Sequence, residues 1–135
     1  MIVELENALV ALALPIGRLH NARVEALPED WTKIGGKPHQ FGQIWVRYGG
    51  QSSEGTTVKQ TNIKFTLVVS AKRLRGHQSL YAILEDLSAQ INGQVLFNSK
   101  PILVDGISEC EYKDGTWSAS LSLSIRVFAK GTCQL

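Results

Sequence analysis

Charge of one sign, cysteine, paired histidines and long apolar runs are all scarce in this chain, and each scarcity excludes something. Fourteen basic against twelve acidic residues leave +2 over 135 residues, too little to make nucleic acid or an anionic membrane the main partner. No apolar run approaches the roughly 18 residues that a bilayer span needs. The opening residues carry Glu4 and Glu6 rather than the basic start of a secretory signal. The chain is therefore expected to begin at Met1 and to stay in the cytoplasm while it is made. Cys110 and Cys133 are the only cysteines; both are expected as free thiols, as in a reducing compartment. His20, His39 and His77 sit in unrelated segments with no second ligand at metal-binding spacing. Each is expected as an ordinary surface histidine. Gly35-Gly36 and Gly49-Gly50 lack the Lys-Ser/Thr of a phosphate loop, and no strand-turn-helix nucleophile elbow is present. Neither a cofactor nor a metal nor a catalytic residue is expected.

What the chain does have is alternation. From Trp117 to Ala129 every odd position is apolar, while Ser118, Ser120, Ser122, Ser124 and Arg126 fill even positions. A period of two puts these two sets on opposite faces of a strand. The run is more than twice the usual strand length of about 5–6 residues, so it needs partners of similar length. Its outer face is a row of hydroxyls, flat and weakly solvated, which another element or subunit can cover. The length suits one domain, residues 1–135, able to bury roughly two-thirds of its unfolded surface without metal or disulfide help.

The remaining elements follow in order. Ile2, Leu5, Leu9 and Leu12 recur at helical spacing with acids in the first turn, predicting a helix over 2–12 that Pro15 and Gly17 end. Arg23–Leu27 reads as a brief strand, and 31–41 as a long loop. Gln43–Tyr48 alternates Ile44, Val46 and Tyr48 against Gln43, Trp45 and Arg47, and 49–55 reads as a flexible hairpin tip. A strand over 57–70 follows, with Ile63, Phe65, Leu67 and Val69 on one face. Leu80, Ile83, Leu84, Leu87 and Ile91 then mark a second helix stopped by Gly93.

Asp114-Gly115 is a strong two-residue turn signal, because a type I′ turn needs positive φ at both central positions. It would set Tyr112 opposite Trp117, Cys110 opposite Ala119, Val104 opposite Ile125 and Ile102 opposite Val127, all on the core face. Glu109 and Glu111 would then oppose Ser120 and Ser118, and Asp105-Gly106 would mark a bulge. The expected fold is α+β: an antiparallel sheet with two helices packed on one face and a long C-terminal β-hairpin.

A few residues invite a functional reading. Lys72, Arg73, Arg75 and His77 precede the second helix, where the dipole disfavours cations by roughly 0.3–1 kcal/mol each. They mark either an anionic partner or a solvated turn whose stems cover apolar surface. Trp117 is expected in the core against Tyr112, which leaves Trp31 or Trp45 as a candidate interface anchor. Glu109 and Glu111 form either an acid pair or a solvated strand face.

The helix at Met1, the strand ending near Ala26-Leu27-Pro28, the helix Leu80-Tyr81-Ala82-Ile83-Leu84-Glu85-Asp86-Leu87 and the Asp114-Gly115-Thr116-Trp117 turn before a long alternating strand form a sequence of parts. That order resembles the tail-terminator (tail-completion) proteins of tailed phages, contractile-tail members especially. The resemblance spans most of the chain and rests on order rather than on a diagnostic motif. It implies a virion assembly protein of the tail and neck, put together in the host cytoplasm. Such a protein forms a homo-hexameric ring on the last ring of the tail tube, ends tube growth and joins the tail to the neck or head-completion protein. Contractile-tail members also engage the sheath protein. The role is structural, and no membrane or specific nucleic acid is involved. Contacts are expected at loops and sheet edges: Trp31 and Lys33 in the 31–41 loop, Trp45 and Arg47 on the following strand, Gln51 and Glu54 in the tip, and Lys72, Arg73 and Arg75 in the basic turn.

Three alternatives stay open. One is a neck or head-completion adaptor. Another is a small nucleic-acid-binding module using Lys72, Arg73, Arg75 and Trp45. The third is an enzyme whose pocket the sequence does not advertise.

Overall fold

A computed structural model describes residues 2–27, 42–54, 60–96 and 99–128. The elements in chain order are α1 (Ile2–His20), β1 (Ala22–Ala26), β2 (Gly42–Glu54), β3 (Gln60–Ala71), α2 (Leu80–Ile91), β4 (Leu103–Ile107), β5 (Glu111–Lys113) and β6 (Thr116–Phe128). The strands form one six-stranded sheet in the order β1-β2-β3-β6-β4, with β5 also on β6. Both helices lie on one face, as the α+β expectation holds. The central ladder pairs β3 with β6 from Gln60–Phe128 to Ala71–Trp117 without a register shift. Because both strands alternate, Ile63, Phe65, Leu67 and Val69 share the covered face with Leu121, Leu123 and Ile125, all buried.

α2 forms where its spacing predicts. Ser79 caps it, accepting from the Ala82 amide at 3.2 Å, and Gly93 follows it at φ 87°, the left-handed conformation that ends helices. Leu80, Ile83, Leu84, Leu87 and Ile91 are its buried residues.

α1 departs from expectation. It runs through Pro15 and Gly17 to His20, and Asn21 at φ 56° ends it. A proline inside a helix costs about 3 kcal/mol. Here the ring faces solvent, and the extra turn buries Ile16, Gly17 and His20. Gly17 lets the helix approach β1 closely: a Cβ there would lie 2.5 Å from Val24 Cγ2 and 2.8 Å from the Ala22 carbonyl oxygen. His20, expected at the surface, is 5% exposed. Its Nε2 donates to Asp86 Oδ2 at 2.6 Å, tying α1 to α2, while its Nδ1 is buried without a partner.

The sheet departs as well. β1 pairs with β2 in parallel, Ala22 beside Gly42 and Ala26 beside Val46, so the sheet is mixed rather than antiparallel. The docked end of α1 delivers the chain beside the start of β2, and β1 therefore runs the same way. β2 also continues beyond the expected tip. Its register shifts between Tyr48 and Gln51, with Gly50 at φ 100°, and pairing resumes to Glu54–Gln60. The 31–41 loop lies outside the described residues.

The C-terminal hairpin closes at Asp114-Gly115 with Tyr112 opposite Trp117 as expected. The two rings lie 4.9 Å apart at 54°. They sit at the rim rather than in the core: Trp117 is half-buried and Tyr112 is 60% exposed. The arm running back along β6 is broken in two. Ser108 donates to the Ser120 carbonyl, so one extra residue has entered the arm before β5. Another enters between Val104 and Gly106. Val104 consequently faces Leu123, not Ile125, and Val127 bridges to Ser99, not Ile102. Two single-residue insertions restore the in–out parity, so Val104 still packs against the core. Cys110 falls in the break. It is half-buried and free, and forms no ladder pair with Ala119; Cys133 lies outside the described residues.

Two stability predictions follow from α1. Gly17→Ala raises helix propensity by up to about 1 kcal/mol, yet the methyl group meets Val24 and the Ala22 backbone. Overpacking costs about 1–3 kcal/mol, so urea denaturation should register a net loss. Asp86→Ala strands a buried imidazole N–H and should cost about 1–3 kcal/mol in the same measurement.

Candidate functional site

The face of the sheet away from the helices is built by the even positions of β3 and β6, and its chemistry follows from their side chains. Down β6 it presents Ser118 and Ser120, half-buried, then exposed Ser122 and buried Ser124. Thr66 and Val68 stand beside them on β3. Flanking strands add charge, but much of it is already engaged. Glu25 on β1 accepts from Trp45 Nε1 at 3.3 Å and from Gln43 Nε2 at 3.4 Å, which holds the indole against the sheet. Lys64 Nζ donates to Ser124 Oγ at 2.9 Å and lies 3.6 Å from Asp105; the Ser124 hydroxyl in turn donates to Asp105. The bulge at Asp105 is what brings that carboxylate within reach. Asn62 Oδ1 is buried on this face with no donor.

Toward the Asp114-Gly115 end the same face is hollowed. A half-open trough of about 310 Å³ has Val68, Ser118 and Ser120 on its floor, and Ser108, Glu109 and Glu111 on its wall. Glu111 opposes Ser118 as expected, whereas Ser108 takes the place beside Ser120 that register had assigned to Glu109. Both glutamates are exposed.

The basic turn joins β3 to α2. Lys72, Arg73 and Arg75 are exposed there, and the Arg73 carbonyl accepts from the Leu80 amide at 2.8 Å. The Arg75 guanidinium lies over the Tyr81 ring, 5.6 Å from its centroid. Tyr81 is 39% exposed. It stands one position off the apolar face of α2, and a sequence carries no signal that a ring there meets an arginine six residues earlier.

The sequence-predicted contact residues do not converge on one site. Trp45 and Arg47 lie on the open face of β2, opposite Val68 and Thr66. Gln51 is exposed beyond the bulge, accepting from Tyr48 Oη at 3.2 Å, and Glu54 closes the ladder opposite Gln60. Lys72, Arg73 and Arg75 follow the other end of that ladder, about 40 Å away at the usual rise of a strand. Trp31 and Lys33 lie outside the described residues. Among the described residues, no group of three His, Cys, Asp or Glu side chains could hold a metal ion, and no helix is long and apolar enough to cross a membrane.

The exposed pair on this face contributes little to stability. Lys64→Ala should lower it by no more than about 1 kcal/mol in urea denaturation, since both partners are solvated and an exposed pair is screened.

No protein-family model matches the sequence, and no curated protein matches it. Among solved structures, a chain from the virion of a native gene transfer agent (GTA) particle is similar. The match covers 89% of this chain and 92% of that chain, with a TM-score of 0.59 and 14% sequence identity. At that identity the likeness is one of fold: this chain shares the architecture of a virion-particle chain almost from end to end.

Proposed function

We propose that this protein is a structural component of a phage-like virion, a tail terminator that assembles as a hexameric ring on the last ring of the tail tube. The ring ends tube growth and presents a surface to the neck or head-completion protein. In a contractile tail it also meets the sheath. Its place is the virion tail and neck, after assembly in the host cytoplasm, and its work is assembly rather than catalysis.

The observation that carries this reading is the fold likeness to the gene transfer agent virion chain, which spans nearly the whole of both chains. The surface supports it independently. The row of serines on β6, uncharged and left uncovered by the two helices, suits the centre of a contact with a neighbouring subunit, where charged residues are depleted, with the charges around it at the rim.

Negative-stain imaging of the purified protein, alone and with polymerising tail-tube subunits, tests the reading. Six-fold rings, and tubes capped and halted at one end, are the expected outcome. A protein that stays monomeric and leaves tube growth unchanged overturns it. Rings that bind head-neck assemblies but ignore tubes would move the protein to the adaptor role.

A further inference from the structure

Among the described residues, the glutamates of the trough and the cations of the basic turn form no ion pair, and their charges are opposite. Lys72, Arg73 and Arg75 stand at the amino-terminal end of α2, whose first turn holds no acidic residue. The helix dipole makes this a poor place for cations. Among the described residues none of the three has a carboxylate within ion-pair distance. Glu109 and Glu111, on the wall of the trough, likewise have no cation partner among the described residues. Both patches stand at the end of the β3–β6 ladder where Ala71 pairs with Trp117 and Glu111 pairs with Ser118, and no ion pair joins them. The trough opens on the uncovered face, whereas the turn climbs from Ala71 to the helix layer on the other face.

From this complementarity we infer that the trough walled by Glu109 and Glu111 receives the Arg73–Arg75 turn of a second copy. The inference rests on the ring reading above and names the contact that would close the ring. Arginine suits the role, because its planar fork pairs with carboxylates in two parallel hydrogen bonds. Arg75 is already held over Tyr81, so less side-chain freedom is lost on docking. The floor of Val68, Ser118 and Ser120 offers a shallow surface with no competing charge. Because turn and trough are separate groups of residues, one copy can give its turn to a second and receive that of a third, a head-to-tail contact that closes into a ring when the rotation permits; reciprocal docking of two copies would give a dimer instead. Nucleic acid is the less favoured occupant of the turn. The chain carries only +2 overall, and Tyr81 is engaged by Arg75 rather than free to stack on a base.

Charge reversal tests the contact in the full-length protein. Glu109→Arg with Glu111→Arg makes turn and trough both positive; Arg73→Glu with Arg75→Glu makes both negative. Each variant should self-associate at least about a hundredfold more weakly than wild type by light scattering, because like charges then face one another. An equimolar mixture should regain the wild-type mass, with the two variants alternating. That recovery also establishes that both variants are folded. The same proteins are added to polymerising tail tubes. Variants that assemble and cap tubes as wild type does would overturn the contact and leave the tail-end role standing. A wild type that neither associates nor caps would remove the role and the contact together. Salt-dependent binding of single-stranded DNA, lost in the Arg73→Glu, Arg75→Glu variant while wild-type protein stays monomeric, would assign the turn to nucleic acid and overturn the contact.

Discussion

The unbroken pairing of β3 with β6 is the constraint on which the rest of the molecule hangs. Two strands that each alternate apolar and polar side chains can satisfy both faces only in a register of even parity. A slip by one residue would carry Leu121, Leu123 and Ile125 to the solvent face and bring serines under the helices. With that register set, the apolar face must be covered, and α1 and α2 cover it. The polar face then carries the hydroxyls of β6, with Glu25, Arg47, Lys64, Asp105 and the two trough glutamates around them.

Everything added to this ladder is adjusted to preserve it. The arm returning along β6 absorbs two single-residue insertions, one before β5 and one at Asp105. Together they amount to a two-residue step, so Val104 keeps its side of the sheet. Each insertion also places a polar group usefully. Asp105 reaches Lys64 and Ser124, and Ser108 takes the place beside Ser120. β2 uses the same device at Gly49-Gly50, where the backbone reaches φ 100° at Gly50 and pairing resumes beyond. Bulges thus shape the exposed surface while the core alternation stays intact.

That division separates what holds the fold together from what its surface offers. The covered face explains stability, and it would serve equally in many roles. The open face and the β3–α2 turn hold the chemistry left over: carboxylates, guanidinium groups and hydroxyls that the fold does not consume. The architecture is shared with a virion-particle chain, and among the described residues the carboxylates of the trough and the cations of the turn form no ion pair.

Local periodicity was enough for the elements that bury one face against a neighbour. α2, the apolar side of β3 and β6, and the Asp114-Gly115 turn were all legible, because spacing and turn chemistry act within a few residues. The length of α1 was not. Pro15 and Gly17 are stop signals in isolation, and only docking against β1 and the His20–Asp86 bond, between residues far apart in the chain, makes continuing the helix favourable. The parallel course of β1, the double insertion in the C-terminal arm and the meeting of Arg75 with Tyr81 likewise depend on packing among distant segments. The candidate residues could be named from their types, but their separation to opposite ends of a long ladder could not. Side-chain alternation specifies which face a residue occupies; which residues become neighbours across the sheet is decided by register and by the helices docked on it.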